Sequence, residues 1–380
     1  MNSRKNDFAI DDFEKGHGKK PNQKLKPYLV MQYLLKYSDE SHLVSAPELV
    51  GYLQEICGIY AERRSIYRDI EEINKAILMV ENEVDICEAE EMLEPENDPE
   101  GDNKTIVYDR SRKGFYVRQR HYEYDDIRLL AEAIYSAKFL TEKQSKNLVD
   151  VVCEFVSEAQ AETIKHDAFL TDRVKTINKS VINNLSAINA AMSKGYGKNK
   201  HIPEKISFKY LKYSIEDLSK QSERRNGNKY VVSPFALLIN DGNYYLLAYA
   251  DYAKGLRTFR VDRMKEVSAI GEPREGEEVF AAIDLKTYTQ RVFSMFGGTE
   301  ERITIRFILP LLDAVVDRFG TKGVIYSKSD DTHFTITASV EISDQFFSWL
   351  CQFGKKAKIM TPERVINQFT EYLDKIRSLY

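Results

Sequence analysis

The spacing of apolar residues changes along this chain, and that change constrains the fold more than any single motif does. Up to about residue 195 apolar side chains recur at helical spacing. From 205 to 270 they alternate at period two, and beyond 301 the two patterns take turns. Neither one helical bundle nor one sheet can absorb such a pattern, so the sequence predicts an α+β chain of several domains. Its 380 residues leave room for two or three.

The first stretch, 1–24, is polar and lysine-rich and reads as a mobile arm. Pro27 suits the first turn of a helix whose stripe is Val30, Tyr33, Leu34 and Tyr37. Ser45-Ala46-Pro47-Glu48 is a capping box ahead of Leu49, Leu53 and Ile56, with Gly58 ending that helix. A third helix carries Ile66, Ile70, Ile73 and Ile77. The acidic run 88–102, with Pro95 and Pro99, reads as a solvated loop. Strands at 105–108 and 115–117 flank Ser111, Arg112, Lys113 and Gly114. Three helices and a hairpin in this order predict a winged helix-turn-helix over 25–121.

A helical linker bundle is expected over 122–200, with a capping box at Thr141-Glu142-Lys143-Gln144 and a stripe at Val181, Leu185, Ile188 and Met192. Gly195 and Gly197 end it, and His201-Ile202-Pro203 opens the next segment. Over 201–273 short strands around Ile206, Phe208 and Tyr210, 230–233, 237–239, 244–249, and Phe259 with Val261 predict a small β-barrel. Asn240-Asp241-Gly242-Asn243 is a hairpin turn within it. Residues 274–300 read as a connector. The tail, 301–380, alternates strand, helix, strand, strand, helix, before Thr361-Pro362-Glu363 caps a last amphipathic helix.

Charge narrows the function. Lys and Arg number 55 against 59 Asp and Glu, a net charge of −4, so any nucleic-acid surface must be local. Cys57, Cys87, Cys153 and Cys351 form no C-x-x-C pair, which argues against a zinc ribbon and suits a reducing cytosol. The N-terminus lacks the apolar core of a signal peptide, and stretches such as 244–250 and 308–316 are too short to span a bilayer. A cytoplasmic protein without a membrane partner is expected. The histidines, at 17, 42, 121, 166, 201 and 333, form no H-E-x-x-H, and no G-x-S-x-G or P-loop occurs. Gly16-His17-Gly18-Lys19-Lys20 lacks a preceding strand and reads as linker. No catalytic residue, metal or cofactor is expected, and so no enzyme.

Two basic constellations remain. On the third helix Arg64, Tyr67 and Arg68 group on one side, with Arg63 and Ser65 at the start, where a recognition helix meets base edges and phosphates. Arg110, Arg112 and Lys113 mark the hairpin tip. The plainer reading is a solvated stripe paired with Asp69, Glu71 and Glu72; the helix before and the basic hairpin after favour DNA contact. The acidic run 88–102 would repel phosphate unless it points away. In the second constellation, R-T-F-R-V-D-R carries Arg257, Arg260 and Arg263 beside Tyr244-Tyr245-Leu246, and Arg224 and Arg225 precede Tyr230. Guanidiniums that fork onto phosphate and stack with aromatics suit a nucleic-acid or nucleotide anion. The plainer reading has Arg263 paired with Asp262 or Glu266 and the tyrosines in the core.

In this order the parts resemble a bacterial family. R-R-S-I-Y-R-D-I (63–70) resembles the recognition helix of regulators carrying a WYL domain. V-S-P-F-A-L-L-I-N-D-G-N-Y-Y-L-L-A-Y (232–249) followed by R-T-F-R-V-D-R-M (257–264) is similar to the WYL domain itself. Trp349-Leu350, Phe353-Gly354 and Pro362 are similar to the C-terminal WCX extension. The resemblance implies a transcription regulator whose winged helix binds double-stranded promoter DNA. It also implies an Sm-like (SH3-like) WYL barrel that senses a ligand, single-stranded DNA in some relatives, and an α/β ferredoxin-like WCX domain. By motif position it carries effector binding onto Tyr245, Arg257, Arg260 and Arg263, with Arg224 and Tyr210 beside them. Where the family has tryptophan this chain has Tyr244, which keeps an aromatic platform. Homodimers are common in the family.

The leading expectation is therefore a sequence-specific DNA-binding regulator whose promoter affinity changes with an oligonucleotide or nucleotide effector. A second reading is an accessory single-stranded nucleic-acid-binding modulator of a nuclease or defence complex. An enzyme acting on nucleotides is a third, and no metal cluster or acid–base pair supports it.

Overall fold

A computed structural model describes residues 21–168, 174–193, 202–283, 285 and 298–380. Most of the expected arm with its Gly16–Lys20 linker, the segment around Gly195, Gly197 and His201, and much of the 274–300 connector lie outside the described residues. The chain divides into two compact units, Met1–Ser136 with Ser145–Asp172, and Ala137–Gln144 with Arg173–Tyr380. The stretch expected as one bundle, 122–200, is thus shared between them.

In the first unit α1 (Lys26–Tyr37) starts on Pro27 and buries Val30 and Leu34 completely. The Ser45 box forms as the sequence specifies: the Ser45 N–H donates to Glu48 Oε2 at 2.6 Å, and the Glu48 N–H to Ser45 Oγ at 3.4 Å. It opens α2 (Ala46–Gly51), which runs on through a wider turn to Ile56, two residues short of Gly58. Next come α3 (Arg63–Asn82) and α4 (Ile86–Leu93). The latter overturns the expected acidic loop over the first part of 88–102. The Asp85 carboxylate accepts the N–H groups of Cys87 and Glu88, and Ala89 is fully buried, so a cap and one apolar contact suffice for two turns.

Strands β1 (Ile106–Asp109) and β2 (Gly114–Val117) form the expected hairpin. Gly114 leaves no room for a side chain, since a Cβ there would lie 2.7 Å from Leu43 Cβ. Ile66, Ile70 and Ile73 pack with Leu34, Leu49 and Phe115 in one core. Farther along, α5 (Tyr124–Ser136), α6 (Glu142–Cys153) and α7 (Glu158–Ala168) follow, and Ile127, Ala131, Val149 and Ile164 make a second core.

The second unit begins its described course with α8 (Val181–Met192), whose Val181, Ile188 and Ala191 are buried against a sheet rather than against other helices. That sheet holds β3 (Glu204–Ser214), β4 (Asp217–Glu223), β5 (Tyr230–Asn240), β6 (Asn243–Ala250), β7 (Gly255–Arg260) and β8 (Met264–Pro273). Its order is β4-β3-β5-β6-β7, and β8 returns to pair with β3, so the sheet curls into a half-barrel. The β5–β6 turn is the one expected: Asn240 pairs with Asn243, and Asp241 and Gly242 both take positive φ.

A short α9 (Glu277–Ala281) precedes the C-terminal part. There the order is β9 (Thr299–Ile308), α10 (Leu312–Phe319), β10 (Ile325–Lys328), β11 (His333–Ile342), α11 (Asp344–Cys351), β12 (Ala357–Thr361) and α12 (Glu363–Arg377). The antiparallel sheet runs β10-β11-β9-β12. Ile303, Ile305, Phe307, Phe334, Ile336 and Val340 share a buried core with Phe346 and Leu350. Strand β12 was not foreseen, and Pro362, without any side-chain cap, stands at the start of α12 where Thr361 was expected to help.

Two polar devices in the first unit yield predictions. Buried Asn74 donates to the Ile106 carbonyl at 2.9 Å and accepts the Ile106 N–H at 2.8 Å, tying α3 to β1. Asn74→Ala leaves both backbone groups without partners in an apolar setting and should lower the unfolding free energy by about 2–3 kcal/mol, read by denaturant titration. The second device is Asp39. Burial works against its charge, but the Ser157 hydroxyl, the His42 ring and the N–H groups of Ser41 and His42 outweigh burial and hold its pKa below the ordinary carboxylate value. A depressed pKa contributes stability above the unfolded value, near 4, and loses it as pH falls further. The thermal midpoint should therefore drop on acidification from about pH 6 to about pH 3, and drop less in Asp39→Asn.

Candidate nucleic-acid interface

Each unit carries basic side chains that have no carboxylate within ion-pair range among the described residues. On α3, Arg63, Arg64 and Arg68 are exposed, and among the described residues no carboxylate lies within ion-pair range of them. Of the three acids that the plainer reading set against this stripe, two are engaged elsewhere: Asp69 pairs with buried Lys26 at 3.0 Å, and Glu72 with Lys75 at 2.6 Å. The acidic helix is also held away from it. Lys75 takes Glu90 of α4 at 3.0 Å, and it sits eleven residues beyond Arg64, roughly 16 Å farther along the axis.

Two of the residues expected beside these arginines have other work. Ser65 caps the helix, donating to the Glu62 carbonyl at 2.7 Å and accepting the Glu62 N–H at 3.3 Å. Tyr67 was grouped with Arg64 and Arg68 on the outer face, and the structure corrects that. Its ring packs 5.5 Å from Tyr108 and 5.0 Å from Phe115, so it braces the hairpin. Hydrogen bonds with Tyr108 and with Arg63 hold its phenol below the usual pKa. At the hairpin tip Arg110 and Lys113 are exposed. Arg112, by contrast, is pinned by Asp109 Oδ2 at 2.7 Å and the Glu40 carbonyl at 2.7 Å.

In the second unit a cleft of about 1010 Å³ opens on the half-barrel, and its lining gathers all six residues expected to bind an effector: Tyr210, Arg224, Tyr245, Arg257, Arg260 and Arg263. Arg225, Tyr230 and Tyr252 join them. The centre of the arrangement is the turn Val261–Arg263. Asp262 is 4% exposed, and it takes Arg260 by two hydrogen bonds, of 3.0 and 2.9 Å, while Asn243 Oδ1 accepts a third from the same guanidinium at 2.7 Å. Burial opposes the Arg260 charge, but the Asp262 carboxylate outweighs it and raises the pKa further. The pairing of Arg263 with Asp262 or Glu266, which the plainer reading called for, does not occur. Asp262 belongs to Arg260, and Glu266 to Lys209 and Lys265.

The back of the turn is fastened too. Buried Asn178 donates to the carbonyls of Asp262 and Met264 at 2.9 and 2.8 Å, and buried Asn184 to that of Met264 at 2.8 Å. Around this fixed turn, Arg224, Arg225, Arg257 and Arg263 have no carboxylate within ion-pair range among the described residues. Tyr210 accepts the Arg260 N–H at 3.1 Å through its hydroxyl, and burial pushes the phenols of Tyr210 and Tyr245 up. Tyr244 is no platform in the cleft. Alternation on β6 turns it to the other face, where it meets Phe139 edge to face at 4.5 Å. Arg225 and Tyr230 were visible in the sequence as neighbours of Arg224. Tyr252 was missed because it sits on a turn after β6, where strand alternation gives no guide.

Among the described residues no group of His, Cys, Asp and Glu is arranged to hold a metal ion, and no helix is long and apolar enough to cross a membrane. Residues 204–269, which carry most of the cleft, match the family model of the WYL domain. Among solved structures the chain is similar to proteasome accessory factor B/C (PafBC) of Arthrobacter aurescens at 12% identity and a TM-score of 0.25, covering 98% of this chain and 51% of that one. It is similar also to a CRISPR Cas-related protein at 12% identity and a TM-score of 0.31, covering 91% of this chain and 97% of that one. The chain thus spans about half the length of the first of these structures. No curated protein matches it. The similarity to the WYL domain thus falls on the segment that carries most of the arginine-lined cleft.

Proposed function

We propose that this protein is a DNA-binding transcriptional regulator whose half-barrel cleft binds a single-stranded nucleic-acid effector and thereby alters its affinity for promoter DNA. One observation carries the reading. Four guanidiniums without carboxylate partners among the described residues surround an aromatic-lined cleft, whereas Lys205, Lys209 and Lys265 on the same half-barrel are neutralised by acids. In a chain of net charge −4, unpaired cations gathered at one cleft select a polyanion, and the tyrosines beside them suit one with π faces.

The other half of the proposal assigns the first unit to duplex DNA. Helices α1 to α3 and the β1–β2 hairpin are read as a winged helix-turn-helix. In it α3 lies in the major groove through Arg63, Arg64 and Arg68, and the hairpin meets backbone through Arg110 and Lys113. The working form is read as a cytoplasmic homodimer that presents two such helices to two half-sites, and not as an enzyme. The effector acts by differential affinity: it binds better to one arrangement of the dimer, so it shifts the population that fits the operator.

The two surfaces are separable by substitution. In fluorescence anisotropy at about 100 mM salt, Arg64→Ala with Arg68→Ala should weaken promoter binding roughly tenfold to hundredfold. Its salt slope should flatten by about two, and single-strand binding should stay unchanged. Arg257→Ala with Arg263→Ala should do the converse, weakening single-strand binding roughly tenfold or more while effector-free promoter binding persists. Promoter binding that ignores sequence and salt would sink the regulator reading. Single-strand binding that survives loss of residues 1–121 without any promoter binding by the full chain would favour a modulator of a nuclease or defence complex.

A further inference from the structure

One end of the cleft has a chemistry that anion binding does not use. Tyr230 and Tyr252 meet there at 6.4 Å and 71°, and the Arg225 guanidinium lies over both, 4.0 Å from one ring centroid and 4.7 Å from the other. Tyr230 is 8% exposed and belongs to the sheet core, whereas Tyr252 is 53% exposed. Arg225 is itself exposed, with no carboxylate in range among the described residues.

The backbone that delivers Arg225 is unusual. Arg225 and Asn226 are both left-handed, at φ 52° and 53°, and Gly227 follows at +83°. Two successive side-chain-bearing residues in that region cost free energy relative to right-handed backbone. The cation–π contacts, together with the Asn228 N–H bond to the Arg225 carbonyl at 3.0 Å, offset that cost. The Arg225 guanidinium thus covers a ring face on which another planar π group could stack in its place.

We propose, resting on the reading of the cleft above, that the Tyr252 face now covered by Arg225 is a nucleobase subsite, and that Arg225 is the side chain an incoming base displaces. The guanidinium is flat and π-delocalised, and in the free protein it occupies the place of a stacked base. Displaced, it relaxes the loop and becomes available to the phosphate attached to that base. Arg257 and Arg263 then hold further phosphates along the strand. The ligand this selects is a nucleobase on a phosphate backbone with its face unpaired and open. A duplex, whose bases are stacked inward, and a bare polyphosphate, which has no π face, both fail to use the subsite.

The test uses the full chain and two readouts. Anisotropy of an end-labelled oligodeoxythymidylate reports binding, and the fluorescence of a 2-aminopurine within the same strand reports stacking. The wild-type protein is expected to quench 2-aminopurine severalfold and to bind a strand of abasic sites about tenfold more weakly than the natural strand, the scale of one stacked base. Tyr252→Ala should lose the quenching and bind both strands alike, while Tyr252→Phe should keep both properties. Arg225→Ala should keep the quenching, since the base no longer has to displace a side chain. A 2-aminopurine mononucleotide quenched in the same Tyr252-dependent way would make a free nucleotide a sufficient ligand; quenching only within a strand would require the polymer. Both results support the subsite. Binding with no preference for bases over abasic sites, or quenching that survives in Tyr252→Ala, overturns it. A wild-type protein that binds no strand at all would instead overturn the cleft reading on which the subsite rests.

Discussion

The site depends on a carboxylate buried inside a three-residue turn. Asp262 is almost wholly out of water, where an unpaired charge would be expensive, and it is stable there because Arg260 meets it with two hydrogen bonds. That pair, with Asn243 on one side and the Asn178 and Asn184 amides on the carbonyls behind, leaves the turn between β7 and β8 little freedom. Arg257 just before the turn and Arg263 at its end are thereby presented from a rigid base. One arginine of the R-T-F-R-V-D-R run is paired with a carboxylate, and two line the cleft without such a partner among the described residues.

Charge is sorted in the same way across the molecule. Three lysines of the half-barrel are matched with acids: Lys205 with Asp251 and Glu275, Lys209 and Lys265 with Glu223. In the first unit Lys26 and Lys75 absorb Asp69, Glu72 and Glu90. The arginines of α3 and of the cleft named above as unpaired have no such acids among the described residues, and arginine is the side chain whose planar fork suits phosphate and whose faces stack. A net charge of −4 conceals this, because neutralised lysines and unpaired arginines count alike in a sum.

How much was legible in the sequence can be judged element by element. Helices α1 to α3 were readable because capping boxes and isoleucine stripes are local signals, and so was the Asn240–Asn243 turn. Strand β4, D-L-S-K-Q-S-E, was not, because it is largely exposed and its ladder partner β3 supplies the order that its side chains do not. Helix α4 was hidden by its acidity, since composition spoke for a loop while the Asp85 cap acted through only two N–H groups. The six residues that motif position singled out all line the cleft, while Tyr252, on a turn outside the motif, does so without a signal in the sequence.

The sequence by itself determined which side chains are available, where helices begin, where strands turn, and that cationic residues cluster in two places, because these follow from spacing along one chain. Tertiary structure alone decided which of those cations are neutralised. Ion pairing depends on which carboxylate folding brings within about 4 Å. Hence, among the described residues, Arg260 and Arg112 are paired with carboxylates while Arg257, Arg263, Arg64 and Arg68 are not. The same holds for Tyr67, Tyr244 and Tyr252: whether a ring braces a hairpin, packs on Phe139 or lies open beside an arginine is set by residues distant in sequence, whose positions only the packed chain fixes.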